Sequence, residues 1–278
     1  MHLFFTVLAL VTAGLAAVRS SWSPCGRSML STITPLAERG RGNSYAATCA
    51  WFITGALAGG ACLGGVLGGL AAATAPLSPA VAAALATCAG AAAAASDARL
   101  GGFVLPFHRR QVNELWLDRF RPWVYGAGFG WQIGTGFATY VVTAGLYLMV
   151  PLAALSGSPL VGFCVGLVFG AVRGLAVVAG RRITDTSALV AFHRRFDQVE
   201  RWARASMIGW EAILAVATLG AWGALVFGAS YGALGAALSA AFAAALSAVR
   251  TRRAVVLALR KAQRTLGRGA RVLDGPSF

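Results

Sequence analysis

The stretch SSWSPCGRSMLSTITP, residues 20–35, places a cysteine where its surroundings favour reactivity. Cys25 follows Pro24 just after the first apolar run, and a helix that starts near Gly26 puts the thiol at a helix N-terminus. The partial positive charge of that N-terminus, with Arg27 nearby, favours the thiolate, which is the nucleophile of thiol–disulfide exchange. The sequence therefore predicts a reactive Cys25 and a helix break at Pro24. A buried structural thiol is the alternative.

The other four cysteines lie in apolar segments, where a thiol packs as a small hydrophobic group. They are Cys49, Cys62, Cys88 and Cys164, and no two of the five cysteines have CxxC spacing. If Cys25 transfers electrons, its partner must be one of these four or a thiol of another protein.

Two ionisable residues fall well inside apolar segments, away from the segment ends, where an unpaired charge is costly. Arg173 and Glu211 lie at a similar predicted depth, each about two turns from a basic connection. The sequence predicts that they form a buried ion pair. The pair is either a structural clamp or a site that handles an anion or a proton.

Three threonines recur at intervals of four residues, which places them on one face of a continuous helix. They are Thr135, Thr139 and Thr143. This face either lines a central pathway together with the Cys25 break or forms hydrogen bonds between helices.

No other catalytic or ligand-binding pattern is present in the sequence. We find no phosphate-binding loop, catalytic triad, haem motif or zinc spacing, and the glycine-rich stretches fall within apolar segments. The sequence therefore predicts neither a cofactor nor a metal ion.

The composition identifies the elements that must position these residues. Hydrophobic residues make up 58% of the 278-residue chain, charged residues only 12%, and the mean hydropathy is +0.69. An ordinary soluble domain contains about 25% charged residues, so this chain is predicted to be an all-α, polytopic membrane protein. Its net charge of +15 is spread over the connections between apolar segments, which argues against a nucleic-acid-binding surface.

Segments of about 20 apolar residues are long enough to cross a bilayer. The sequence contains about seven such segments: 2–22, 46–74, 79–98, 123–153, 158–180, 207–227 and 230–249. We predict one transmembrane domain over residues 1–249, followed by a basic tail over residues 250–278.

Arginine alternates between the connections. It is abundant after spans one, three, five and seven, and absent after spans two, four and six. The positive-inside rule then predicts that the N-terminus lies outside and the C-terminus in the cytoplasm. The use of arginine rather than lysine, with abundant alanine and glycine, is typical of a bacterial genome, so a multi-pass protein of the bacterial plasma (inner) membrane is predicted. The lipid bilayer is its predicted surrounding, and anionic lipid is predicted to bind the basic connections and tail. Cys25 and Cys164 then lie near opposite sides, which argues against a direct disulfide between them.

Three further patterns concern the helices. Residues 184–206 form an apolar and a charged helix face, typical of a helix on the membrane surface. The second span, with GALAGGACLGGVLGGL at 55–70, is rich in small residues that let helices approach closely. Spans one to three and four to six start on opposite sides, which predicts an inverted three-helix repeat with one extra helix.

The Ser-Pro-Cys-Gly stretch, residues 23–26, just after the first span resembles the DsbD/CcdA family of transmembrane thiol–disulfide carriers. Residues 51–70 and 157–180 are similar to the second and fifth helices of that family, and Pro35 matches its later proline. The resemblance implies inverted repeats and a redox role for Cys25. The family's second Pro-Cys is missing, because the matching place in span four reads GTGFATY, 134–140. A broader related group includes auxiliary proteins of amine-dehydrogenase maturation and small-molecule exporters.

These observations lead to three hypotheses. The first is thiol–disulfide exchange or maturation of an extracytoplasmic protein through Cys25, with a thioredoxin-like or other thiol protein as partner. The second is a small-solute transporter that uses the Cys25 break and the threonine face. The third is a structural subunit of a membrane complex.

Overall fold

The computed structural model describes residues 1–107, 109 and 115–228. The predicted seventh span, 230–249, and the predicted tail, 250–278, lie outside the described residues. In the part of the chain that the structure describes, all regular elements are helices and no strand occurs. The predicted all-α membrane fold is therefore confirmed.

Ten α-helices are described, and short 3₁₀ segments lie at Leu100–Gly102 and Ala176–Arg182. The α-helices are α1 (His2–Ser20), α2 (Pro24–Thr32), α3 (Pro35–Gly40), α4 (Tyr45–Thr74), α5 (Pro79–Ala98), α6 (Trp116–Arg119), α7 (Pro122–Thr135), α8 (Gly145–Leu155), α9 (Pro159–Leu175) and α10 (Thr186–Phe227). Within these described ranges, five helical segments are long and apolar enough to cross a membrane: α1, α4, α5, α9 with its 3₁₀ extension, and α10.

The predicted fourth span, 123–153, is interrupted. The helix α7 ends at Thr135, where Gly136 adopts a positive φ of 70° that favours glycine, and regular structure resumes only at Gly145. The two helices have 14 and 11 residues, or about 21 and 17 Å at 1.5 Å per residue. Neither piece alone matches a hydrocarbon core of about 30 Å.

The predicted surface helix over 184–206 and the predicted sixth span, 207–227, form one continuous helix. No proline interrupts Thr186–Phe227, so its 42 residues extend over about 63 Å. The Asp185 carboxylate caps this helix by accepting hydrogen bonds from the Ser187 hydroxyl (2.6 Å) and the Ala188 amide (2.8 Å). These bonds hold the pKa of Asp185 below its ordinary value.

Glycines bring α4 into close contact with α7 on one side and α9 on the other. A Cβ atom at Gly55 or Gly59 would collide with the backbone of α7, and one at Gly60 or Gly64 would collide with the backbone of α9. The adjacent Gly65 has open space around it. The sequence prediction of tight helix packing through small residues is confirmed for these positions.

The helices pack in pairs across the molecule. Contacts join α1 with α8, α4 with α9, and α5 with α10. These are the contacts expected between equivalent spans of the predicted inverted repeat. The repeat itself stays a prediction.

The arginine-rich connections meet at one end of the helix bundle. The amide of Leu36 donates to the carbonyl of Ile183 (3.0 Å), and Arg204 donates to the carbonyl of Asp97 (2.9 Å). At the other end, His2 bonds the Ser156 carbonyl (2.7 Å). In the part of the chain that the structure describes, connections with arginine therefore lie at one end of the helix bundle and connections without arginine lie at the other.

Candidate functional site

Cys25 lies in the first turn of α2. Ser23 precedes the helix in an extended conformation, and its hydroxyl oxygen accepts the amide of Gly26 at 3.1 Å. Pro24 is the first helical residue, a position where its missing N–H leaves no hydrogen bond unmade. Within four residues, Ser23 thus caps the helix, Pro24 begins it and Cys25 supplies the thiol. The start of α2 also presses on the end of α1, because a Cβ at Gly26 would meet the carbonyl oxygen of Ser21.

A buried arginine accompanies this thiol. Cys25 is 1% exposed and Arg173 is 3% exposed. Arg173 lines a small pocket with Gly26 and Met29 of α2, and it lies within electrostatic range of Cys25. The Arg173 Nε has no hydrogen-bond partner among the described residues. The site therefore places a buried guanidinium near a buried thiol.

The first half of α10 covers α2 from outside. Arg27 forms ion pairs with Asp197 and Glu200, each at 2.7 Å. The ring of Trp22 stacks on Phe196 with centroids 4.4 Å apart. These contacts fix α2 over the Cys25 site, so a protein partner reaches the thiol only if α2 or α10 moves.

The five cysteines have different environments, and no disulfide joins any two of them within the described residues, which include all five. Cys49 is 7% exposed and belongs to the same buried cluster as Cys25. Cys62 and Cys88 are exposed on the outside of the bundle, and Cys164 is half-buried. Among the alternatives that the sequence left open, Cys49 is the one that shares a cluster with Cys25.

The predicted ion pair between Arg173 and Glu211 is wrong. Arg173 faces Cys25 and the start of α2, whereas Glu211 lies beside Asp97, and both Glu211 carboxylate oxygens lack a hydrogen-bond partner among the described residues. The two residues are separated because their helices occupy different positions around the bundle, not because they lie at different depths in the membrane. Helix α9 packs on α4, while α10 packs on α5, so the two side chains point into different parts of the bundle.

The three threonines do not share one helix face, because the helix that would carry them ends at Thr135. The pathway that this face was expected to line stays a prediction. Thr135 donates to the carbonyl of Gln132 in its own helix (2.8 Å). Thr139 donates to the carbonyl of Gly136 inside the interruption (3.3 Å). Thr143 instead donates to the Asp97 carboxylate.

A carboxylate site lies at this interruption, and sequence analysis singled out its Glu211 but missed its Asp97. Asp97, at the end of α5, accepts hydrogen bonds from the Thr143 hydroxyl and from the Ala144 amide (2.7 Å). Glu211 is completely buried, and its Oε1 would lie 3.4 Å from a Cβ placed on Gly145. The two acids therefore flank the first residues of α8.

A second missed site centres on Glu38 of α3, which is completely buried. Its carboxylate accepts the Tyr125 hydroxyl (2.7 Å), the Thr48 hydroxyl (2.9 Å) and the Arg41 guanidinium (2.6 Å). Every oxygen thus has a donor, so this network joins α3 to α4 and α7 as a structural element.

For Asp97 and Glu38, the only signal in the sequence is that acids are rare in the chain. Asp97 and Glu38 stand at the edges of apolar segments, where an acid is ordinarily solvated, and nothing in the sequence indicates their burial. Within the described residues, no three His, Cys, Asp or Glu side chains form a possible metal site. The absence of a metal stays a prediction.

The fold and the site define a class of protein: a multi-pass helical membrane protein with an interrupted fourth span and a buried thiol at a helix start. Comparison with known proteins gives the family. The chain is 33% identical over 207 residues to "Methylamine utilization protein MauF" of Methylophilus methylotrophus, covering 71% of this chain and 70% of the relative. The chain belongs to the MauF family.

Two further MauF proteins are similar over shorter ranges. The identity is 31% with the Paracoccus versutus protein (52% of this chain, 56% of the relative) and 32% with the Paracoccus denitrificans protein (54% of each). The chain thus spans about half the length of these two relatives. No family model and no solved structure matches the chain. The resemblance to DsbD/CcdA proteins stays a prediction beside the MauF membership.

Proposed function

We propose that this protein serves methylamine utilization as a membrane protein that takes part in maturing an extracytoplasmic protein. The names of its MauF relatives supply the process. The resemblance of the Cys25 region to thiol–disulfide carriers supplies the chemistry. The observation that carries the proposal is the buried Cys25 beside the buried Arg173 at the start of α2.

The chemical role of this arrangement is to place positive charge beside the Cys25 sulfur. Arg173 supplies a cation, and the first turn of α2 supplies a helix N-terminus. The thiolate is the form of a cysteine that attacks a disulfide.

The proposed reaction is thiol–disulfide exchange in two steps. The Cys25 thiolate attacks one sulfur of a disulfide in a partner protein that reaches the arginine-rich end of the bundle, forming a mixed disulfide and releasing the partner's other sulfur as a thiolate. A second thiol, as thiolate, then attacks Cys25, so that the partner leaves with both sulfurs reduced and two electrons have passed from the dithiol to the partner. A thioredoxin-like dithiol protein reduces the new disulfide and restores the starting state.

We assign the second thiol to Cys49. It lies in the same buried cluster as Cys25, whereas Cys62 and Cys88 are exposed on the outside of the bundle. In this proposal Cys49 of α4 takes the role that the second Pro-Cys has in the DsbD/CcdA pattern.

The test is acid trapping and thiol alkylation in native membranes of cells grown on methylamine. We compare the wild type with Cys25→Ser, Cys49→Ser and, as a matched control, Cys88→Ser. We expect a mixed disulfide to accumulate in Cys49→Ser, because the resolving thiol is missing, and to be absent in Cys25→Ser. The Cys88→Ser variant should behave as the wild type, and growth on methylamine should fail only without Cys25 or Cys49.

Two outcomes change the proposal. If Cys49→Ser traps no mixed disulfide but Cys25 still changes oxidation state, the second thiol belongs to the partner protein. If Cys25 stays reduced under all conditions and Cys25→Ser grows normally, thiol chemistry is rejected. Transport of a small solute or a scaffolding role then replaces it.

A further inference from the structure

The interruption of the fourth span contains a chemical group that thiol exchange does not use. We propose that Glu211 is a proton-binding site of the membrane domain, with Asp97 as its ionised neighbour. This site lies apart from Cys25 and does not depend on the proposed thiol chemistry.

Asp97 has hydrogen-bond donors and cations around its carboxylate. The Thr143 hydroxyl and the Ala144 amide donate to its two oxygens. Two cations lie near it: Arg204, whose guanidinium donates to the Asp97 carbonyl at 2.9 Å, and Arg19. Donors and positive charges stabilise the anionic form.

Glu211 has the opposite surroundings. It is completely buried, and neither of its oxygens has a hydrogen-bond partner in the described part of the chain. Its neighbours at the carboxyl group are Gly145 and the thioether of Met207, because a Cβ atom placed on Gly145 would contact both the Met207 side chain and the Glu211 Oε1. An ionised carboxylate in such a place costs several kcal/mol, so a bound proton is the simplest way to remove that cost.

The charged groups on the helices around Glu211 agree with this assignment. Helix α5 contributes Asp97, whose negative charge opposes a second one nearby. Helix α1 contributes Arg19, which lies 3.7 Å from Glu200. Arg204, on the same helix as Glu211, donates its hydrogen bond to the Asp97 carbonyl and not to Glu211. In the described residues, no salt bridge reaches Glu211, so a proton is left as the neutralising group.

The place of the site in the fold favours exchange of this proton. Non-helical backbone at membrane depth occurs where it is buried in protein or lines a water-filled cavity. Residues 136–144 are non-helical, and Thr143 and Ala144 bind Asp97 directly. Discontinuous helices form the ion sites of many transporters, because their ends present polar groups in the membrane. Movement of this segment would therefore change the environment of both acids at once.

The chain provides its own control in Glu38. Glu38 and Glu211 are equally buried, but Glu38 accepts hydrogen bonds from Arg41, Tyr125 and Thr48. Glu38 therefore has donors for both of its oxygens and Glu211 has none among the described residues, although their accessibility to solvent is the same.

Infrared spectroscopy of the full-length protein in lipid tests the proposal, since a protonated carboxyl group has a carbonyl stretch that shifts in D₂O. We expect this band in the wild type and in Glu38→Gln, and its loss in Glu211→Gln. The band should weaken as the pH rises and Glu211 loses its proton. In Asp97→Asn this loss should occur at lower pH than in the wild type, because the negative charge of Asp97 that opposes ionisation of Glu211 has been removed.

Each other result overturns the proposal. A wild-type spectrum without a carboxyl band, which requires no variant to fold, means that Glu211 is ionised. A band that survives in Glu211→Gln belongs to another acid. A band that disappears on addition of sodium at constant pH assigns the site to a metal cation instead.

Discussion

At the scale of single residues, three of the buried charged side chains have three different environments. Glu38 is satisfied by a complete set of donors, Arg173 lies beside a thiol, and Glu211 lacks any hydrogen-bond partner among the described residues. A fully satisfied carboxylate stabilises the fold, whereas an incompletely satisfied group is retained at a stability cost. The structural role therefore belongs to Glu38 and the functional proposals to the other two.

The Glu38 network yields a stability prediction. Tyr125→Phe removes the hydroxyl that donates to both Glu38 oxygens, at 2.9 and 2.7 Å. Loss of a buried hydrogen bond to a charged group costs about 1–3 kcal/mol, so the unfolding temperature in detergent should fall. Tyr147→Phe is the matched control, because its hydroxyl donates to the Pro106 carbonyl at an exposed site. Equal effects of the two substitutions would contradict the structural role of the network.

At the scale of elements, backbone contact holds the centre of the bundle together. Helix α4 meets α7 and α9 through glycines, so that dispersion contacts between main chains replace interlocking side chains. This leaves α4 little freedom to shift between its neighbours. The interrupted segment 136–144 instead packs through the side chains of Phe137, Val141 and Ala144 and is bonded to Asp97 by Thr143 and Ala144.

Adjacent glycines of α4 test this packing. A Cβ at Gly64 would lie 2.5 Å from the Phe163 carbonyl oxygen, a backbone atom that cannot move alone, while Gly65 faces open space. Gly64→Ala should destabilise the protein by about 1–3 kcal/mol through overpacking, and Gly65→Ala should be neutral or slightly stabilising. Thermal unfolding monitored by size-exclusion chromatography measures both. A loss of stability only in Gly65→Ala would refute the packing of α4 on α9.

At the scale of the whole molecule, the two ends of the bundle differ in charge. The arginine-rich connections share the end that contains α2, α3 and the first half of α10, where Arg27 bridges to Asp197 and Glu200. The opposite end holds the short connections without arginine. We propose, from the positive-inside rule, that the arginine-rich end faces the cytoplasm.

Site-directed labelling tests this orientation. In a chain without its native cysteines, Leu77→Cys and Ser187→Cys place single exposed thiols at opposite ends. A membrane-impermeant maleimide added to intact cells should label Leu77→Cys and should label Ser187→Cys only after the membrane is permeabilised. The reverse pattern would place the N-terminus in the cytoplasm.

The sequence by itself determined the features that depend on composition and on neighbours along the chain. Apolar length located α1, α4, α5 and α9, because a span needs about 20 such residues whatever it packs against. The small residues of α4 indicated close helix contacts, and the Ser-Pro-Cys-Gly stretch indicated a helix start, since capping is a local interaction.

Only the tertiary structure decided which buried groups meet. Arg173 and Glu211 have the same predicted depth, but depth does not specify the direction in which a side chain points around its helix. The position of α9 against α4 and of α10 against α5 sends Arg173 to Cys25 and Glu211 to Asp97. The end of α7 at Gly136 likewise gave each of the three threonines a different acceptor. Such pairings arise from helix packing between segments far apart in sequence, and no local pattern encodes them.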